Sequence, residues 1–159
     1  MIGSLIKFYG RGIDVLKRVK LKIHSLIDNL DDAGLSDGDP EINDVSPVGT
    51  MKIFGDEISI SYKESVEGAE ISTDILKTEN CVTVTTRGAL SSTLHFAPNE
   101  VYKTIYSVPP YKFDMTVTTV RINSTLSESG GELDLIYRME VGGACKKCRM
   151  RILVSEVSK

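Results

Sequence analysis

Residues 130–154 read GGELDLIYRMEVGGACKKCRMRILV, and this stretch decides the fold class. Leu133, Leu135, Tyr137, Met139 and Val141 alternate with Glu132, Asp134, Arg138 and Glu140, with Ile136 as the break. Side chains of a strand point to opposite faces in turn, so one apolar and one polar parity mark a strand buried on one side. Gly142-Gly143, with Cys145-Lys-Lys-Cys148, joins it to a last strand from Arg149 to Val154.

Working outward, the same period recurs along the chain. Val19, Leu21 and Ile23 alternate with Lys20, Lys22 and His24. Met51 to Phe54 and Glu57 to Glu64 flank Gly55-Asp56 as a hairpin, with Ile58, Ile60 and Tyr62 on one face. Ile71, Thr73 and Ile75 follow Gly68, and Glu79-Asn80 turns the chain into Val82, Val84 and Thr86. After Arg87-Gly88 come Leu90 to Phe96, Glu100 to Tyr106 and Tyr111 to Ile122, separated by Ala97-Pro98-Asn99 and Val108-Pro109-Pro110. In the last of these the apolar parity switches from Tyr111, Phe113, Met115 and Val117 to Val120 and Ile122, which places a β-bulge or bend at Thr118-Thr119. The total is about nine or ten strands with no convincing interior helix. A closed barrel satisfies such a set better than a sandwich, because closure removes exposed sheet edges.

The two ends of the first strand differ in composition. Ile2, Leu5, Ile6, Tyr9, Ile13 and Leu16 have the spacing of a weak amphipathic helix, which Gly3, Gly10 and Gly12 oppose. Residues 1–17 therefore read as a basic N-terminal extension and 18–157 as the barrel. Residues 28–47 carry two glycines, two prolines and seven carboxylates, a composition expected of a mobile acidic loop whose last few residues can pair.

With 159 residues, 41% hydrophobic and 26% charged, the chain fits one domain with one core. A net charge of -3 argues against broad nucleic-acid binding, for which a local basic patch would be required. Three cysteines are too few and too odd for a secreted disulfide scaffold, and no signal peptide is evident, so a cytoplasmic setting is expected. No window approaches the roughly 18 apolar residues of a membrane-spanning helix, so no membrane partner is expected.

From Val19 to Glu156 the chain resembles the YwiB-like family of uncharacterised bacterial proteins. The likeness rests on Gly49, Ile60-Ser-Tyr62-Lys-Glu64, Thr73, Arg87-Gly88, Tyr106 with Pro109 and Tyr111, Thr118-Thr119 and Gly131-Glu-Leu133-Asp-Leu135-Ile-Tyr137, which recur in the expected order. Asn99 stands where a glycine is more usual, and Pro109-Pro110-Tyr111 alters a loop that is more often Pro-Tyr-Gly. The resemblance implies an all-β chain folded as a single antiparallel calycin-like, lipocalin-type barrel of about eight to ten strands. It implies no activity, because none is established for the family.

Motifs for chemistry are sparse. A structural zinc needs about four ligands. Beyond Cys145 and Cys148 only Cys81, His24 and His95 are available, none within a short motif. The pair reads as two turn cysteines beside lysines, with a zinc shared across a dimer or a redox role as the exception. His24 and His95 fall on the polar parity of their strands, which exposes them. Asp37-Gly38-Asp39 lacks the ligand spacing of an EF-hand. No nucleophile elbow, phosphate loop or dinucleotide fingerprint occurs, so no enzyme activity and no cofactor are expected.

The inward parity carries Tyr62, Thr73, Thr86, Ser92 and Tyr137 among aliphatic residues. A barrel of this size holds either packed side chains or one small ligand. In a filled core these hydroxyls bond one another, the backbone or water; around a cavity they orient a ligand. Tyr106, Pro109 and Tyr111 are expected at one rim, and Arg87 is a cationic fork at a strand end. The reading is a monomeric or homodimeric barrel that binds a small, partly apolar molecule without catalysis, with Tyr62, Arg87, Tyr106, Tyr111 and Tyr137 as ligand-binding candidates. The alternative is a protein-interaction module with a filled core, using the basic N-terminus or the acidic loop.

Overall fold

A computed structural model describes residues 15–157, so the expected N-terminal helix lies outside the described residues but for its last three positions. Those three are strand, so the barrel includes Val15–Lys17 ahead of Arg18. Eleven strands follow in chain order: β1 (Val15–Asn29), β2 (Glu41–Val45), β3 (Val48–Phe54), β4 (Glu57–Val66), β5 (Ala69–Lys77), β6 (Val82–Gly88), β7 (Ser92–Phe96), β8 (Val101–Val108), β9 (Tyr111–Ser124), β10 (Gly131–Val141) and β11 (Ala144–Glu156). No helix occurs among the described residues.

The strands form one antiparallel sheet in the order β7-β6-β5-β4-β3-β1-β11-β10-β9-β8, with β2 added to β1. The sheet curls until β7 meets β8, where Ser91 and Ser107 exchange both backbone hydrogen bonds, at 2.8 and 2.9 Å. It is a nearly closed barrel of the calycin type.

β1 is the longest strand and serves two neighbours on one edge. Val15–Lys20 pair with β3, Leu21 donates its N–H to the Pro47 carbonyl at 3.0 Å, and Ile23–Ile27 pair with β2. The two ends of the acidic stretch are therefore wall, and residues 30–40 between them remain a loop, in line with the expected pairing of its last few residues. β1 runs through Asp28 and Asn29, β2 takes up Glu41–Val45, and the turn between is tied by carboxylates. The Asp31 Oδ1 accepts the N–H groups of Ala33 and Leu35, each at 2.9 Å, and Asp28 accepts the Ser36 hydroxyl. Composition alone misses this, because aspartates that lose apolar burial gain local hydrogen bonds to the backbone.

The parity switch in β9 is a bulge one residue beyond the expected place. Ile136 faces Arg121 and Tyr137 faces Thr119, which leaves Val120 without a partner. Val120 itself points out and is exposed, while Thr119 before it and Ile122 after it face inward. One extra residue thus keeps both halves of a long strand facing the core.

The core is a filled layer in which Phe96, Leu21, Met51, Ile60, Leu135 and Ile152 are fully buried. Gly49 is required by this packing: a Cβ there would meet the Ser61 carbonyl at 2.5 Å and crowd Leu21 and Tyr62. Asn99, in the β7–β8 turn, has φ of 61°, the left-handed region that glycine takes freely and asparagine tolerates best among the rest. That conformation accounts for the residue found in place of the more usual glycine.

Candidate functional site

Strand register assembles the inward hydroxyls into a row. Tyr62 faces Thr73, Thr73 faces Thr86, and Thr86 faces Ser92, so one transverse line crosses β4, β5, β6 and β7. Burial raises the Tyr62 phenol above its ordinary value, and its hydrogen bond with Thr73 pulls it partly back. The hydroxyls of this row thus satisfy one another in part, as a filled interior demands.

Tyr137 lies on the opposite wall. It sits directly across from Cys148, and its ring meets Phe96 with centroids 4.7 Å apart at 59°. Desolvation lifts the Tyr137 phenol and pushes the Cys148 thiol up to about 11, with the nearby Lys146 charge offsetting part of the latter. Both groups are protonated and inert at neutral pH, because removal from water disfavours their charged forms.

Beyond Tyr137 the barrel is not filled. A cavity of about 550 Å³ opens at the mouth, walled by Ile27, Leu94, Tyr106, Met115, Met139 and Val141. Ser92, the last hydroxyl of the transverse row, reaches this cavity. The polar side of the rim is a short chain of hydrogen bonds. The Lys146 Nζ donates to Asn29 Oδ1 at 2.9 Å, and Asn29 Nδ2 donates to Glu41 Oε2 at 3.1 Å. β2 matters here, since it brings Glu41 against the end of β1.

Of the five candidates from the sequence, Tyr106 lines this cavity. Tyr111 stacks on Phe113, another lining residue, with centroids 6.5 Å apart, and is exposed at the same rim. Tyr62 and Tyr137 belong to the interior rather than to the cavity wall. Arg87 is on the outer face, where its Nη1 donates to Asp74 Oδ2 at 2.8 Å, so its carboxylate partner is already within the chain. Lys146 was not among the candidates, although it shares parity with Cys148, Met150, Ile152 and Val154. A lysine on an apolar parity next to a strand end was the signal.

The Cys145-Lys-Lys-Cys148 motif is not a turn but the opening of β11. Residues three apart in a strand face opposite ways and lie about 10 Å apart along it. Cys145 is exposed and Cys148 buried, so the two thiols can neither share a metal nor bond to each other. Among the described residues no group of three or more His, Cys, Asp or Glu side chains is placed to hold a metal ion. His24 pairs with Asp44 on the outer face, whereas His95 is half-buried, against Thr83 and the Tyr102 ring, rather than exposed.

Outside, the strongest electrostatic feature is Asp134. Arg149 holds both its oxygens, at 3.0 and 2.8 Å. This bidentate contact keeps the Asp134 carboxyl below the usual carboxylate range despite its partial desolvation.

The family described as a domain of unknown function (DUF1934) matches residues 34–152. The chain belongs to this family. The solved structure of the ywiB protein from Bacillus subtilis is similar to it, with a TM-score of 0.77 and 21% identity over 90% of this chain and 94% of that one. At that identity the likeness is one of fold, and it agrees with the YwiB-like barrel expected from the sequence. None of the curated proteins matches the DUF1934 chain significantly. No helix among its described residues is long and apolar enough to cross a membrane.

Proposed function

We propose that this DUF1934 barrel binds a small, partly apolar molecule at its mouth and does not transform it. The observation that carries the reading is the 550 Å³ cavity, set above a filled core, apolar on most of its wall and polar at one side of its rim. Small-molecule sites share this combination: apolar walls supply affinity and a few placed polar groups supply orientation. Tyr106 and Tyr111 contribute rigid aromatic surface at the opening, and Ser92 a hydroxyl. The three free thiols support a cytoplasmic setting.

Native mass spectrometry of protein purified from its own host, without reductant or chelator, tests this reading against the denatured mass of the same sample. The expected result is a reproducible extra mass of a few hundred daltons that denaturation removes and that Met139→Trp, which fills the cavity, abolishes. A single bare mass from repeated preparations, unchanged by soaking with small apolar compounds, would sink the reading.

A further inference from the structure

The cavity wall is apolar, yet the ammonium group of Lys146 stands at its edge. It enters none of the ion pairs among the described residues, and its hydrogen-bond partner is the neutral amide of Asn29. An ammonium group has three N–H donors, and Asn29 takes one of them. The Asn29 side chain is fixed in this orientation, because its own N–H donates to Glu41. Glu41 also borders the cavity, but it is exposed to water, which screens its charge, and its Oε2 accepts from Asn29 rather than from Lys146. A cation next to an apolar wall, with donors to spare and no carboxylate in contact, gains most from an anion that carries its own apolar body.

We propose that the mouth cavity takes an amphipathic carboxylate, with the head group on Lys146 and the apolar body against Leu94, Tyr106, Met115 and Met139. This rests on the ligand-binding reading above and adds the chemical class of the ligand. The filled core around Phe96 and Tyr137 limits how deep the body can go, so the site suits a compact acid or a medium-length chain rather than a long one. Asn29 is a positioning residue: a neutral acceptor there holds the lysine in place without neutralising it.

Binding of decanoate, 1-decanol and decylamine, measured by calorimetry on the full chain, separates head group from body. The wild-type protein is expected to bind decanoate about tenfold or more tightly than either of the others, the usual worth of a charge-assisted hydrogen bond in a partly buried site. Lys146→Met is expected to remove that preference while leaving 1-decanol unchanged, and Lys146→Arg to restore most of it. Asn29→Asp supplies an internal counter-charge and is expected to weaken decanoate alone. The circular dichroism spectrum and melting temperature of each variant establish that the barrel is intact. Equal binding of decanoate and 1-decanol by the wild type, or a decanoate preference that survives Lys146→Met, overturns this inference and leaves the cavity reading in place. Failure of all three compounds to bind overturns both.

Discussion

Asp134 carries its charge on the outer face of the barrel while almost wholly covered, and Arg149 is what makes that tolerable. Its folded-state pKa lies below the value of about 3.9 that an unfolded chain gives it, so the unfolded chain takes up the proton first as pH falls. The stabilisation is complete above that unfolded value and is lost as pH falls through the folded one. Asp134→Asn should therefore melt earlier than the wild type at pH 7, with the gap closing as the pH is taken below about 4. A gap of constant size across that range would mean that the ion pair is not its source. The cysteines make a second contrast at this scale. Iodoacetamide at pH 8 is expected to label Cys145 in the folded protein at once and Cys148 only as fast as the barrel opens, which peptide mapping over time distinguishes. Equal rates would contradict the burial of Cys148 against Tyr137.

Among the elements, β9 is the one whose length depends on a defect. Val120 is exposed and unpaired, so Val120→Ala should change stability by no more than about 0.5 kcal/mol. Deleting Val120 should leave the register intact, because Thr119, Arg121 and Ile122 then alternate in, out and in opposite Tyr137, Ile136 and Leu135, and only the local bend of the bulge is lost. Chemical denaturation of the two variants compares them directly, and a deletion that unfolds the barrel would show that closure needs the bend of the bulge and not alternation alone. Alternation made β9 and its switch of parity legible in the sequence to within one residue. β2 was not legible in the same way, since Glu41, Asn43 and Asp44 give it no apolar face. It is a strand because β1 offers it a backbone edge. The cavity escaped for a related reason: parity says that Leu94, Met115 and Met139 face inward, but whether the space between them is filled depends on which strands approach across the barrel. Tyr106 and Tyr111 were found through the prolines that mark the rim. Lys146 escapes a reading by composition because Gly142-Gly143 and two adjacent lysines have the character of a turn, whereas β11 already begins at Ala144.

For the molecule as a whole, closure is uneven. β1 and β11 pair over eleven residues, and β10 and β11 over eleven more, whereas β7 and β8 share a single bridge at Ser91 and Ser107. Backbone amides on the facing edges of β7 and β8 should exchange with deuterium well before those of β10 and β11, in native conditions where the barrel stays folded. Uniform protection around the barrel would show that the seam is held by more than that bridge. If the mouth cavity takes a ligand, exchange at this seam should slow on binding, since Leu94 and Tyr106 come from the two strands on either side of it.

β2 has a further consequence. Among the described residues it pairs with β1 and with no strand beyond, so there it presents the row of open donors and acceptors that invites a second chain to add on. Glu41, Asn43 and Asp44 occupy that border, with Ile42 as its exposed apolar residue, and a neighbouring copy brought edge to edge would set carboxylate against carboxylate. The acidity of this part of the sequence then acts as a guard against self-association, keeping a strand that helps to wall the cavity from becoming a template for fibres.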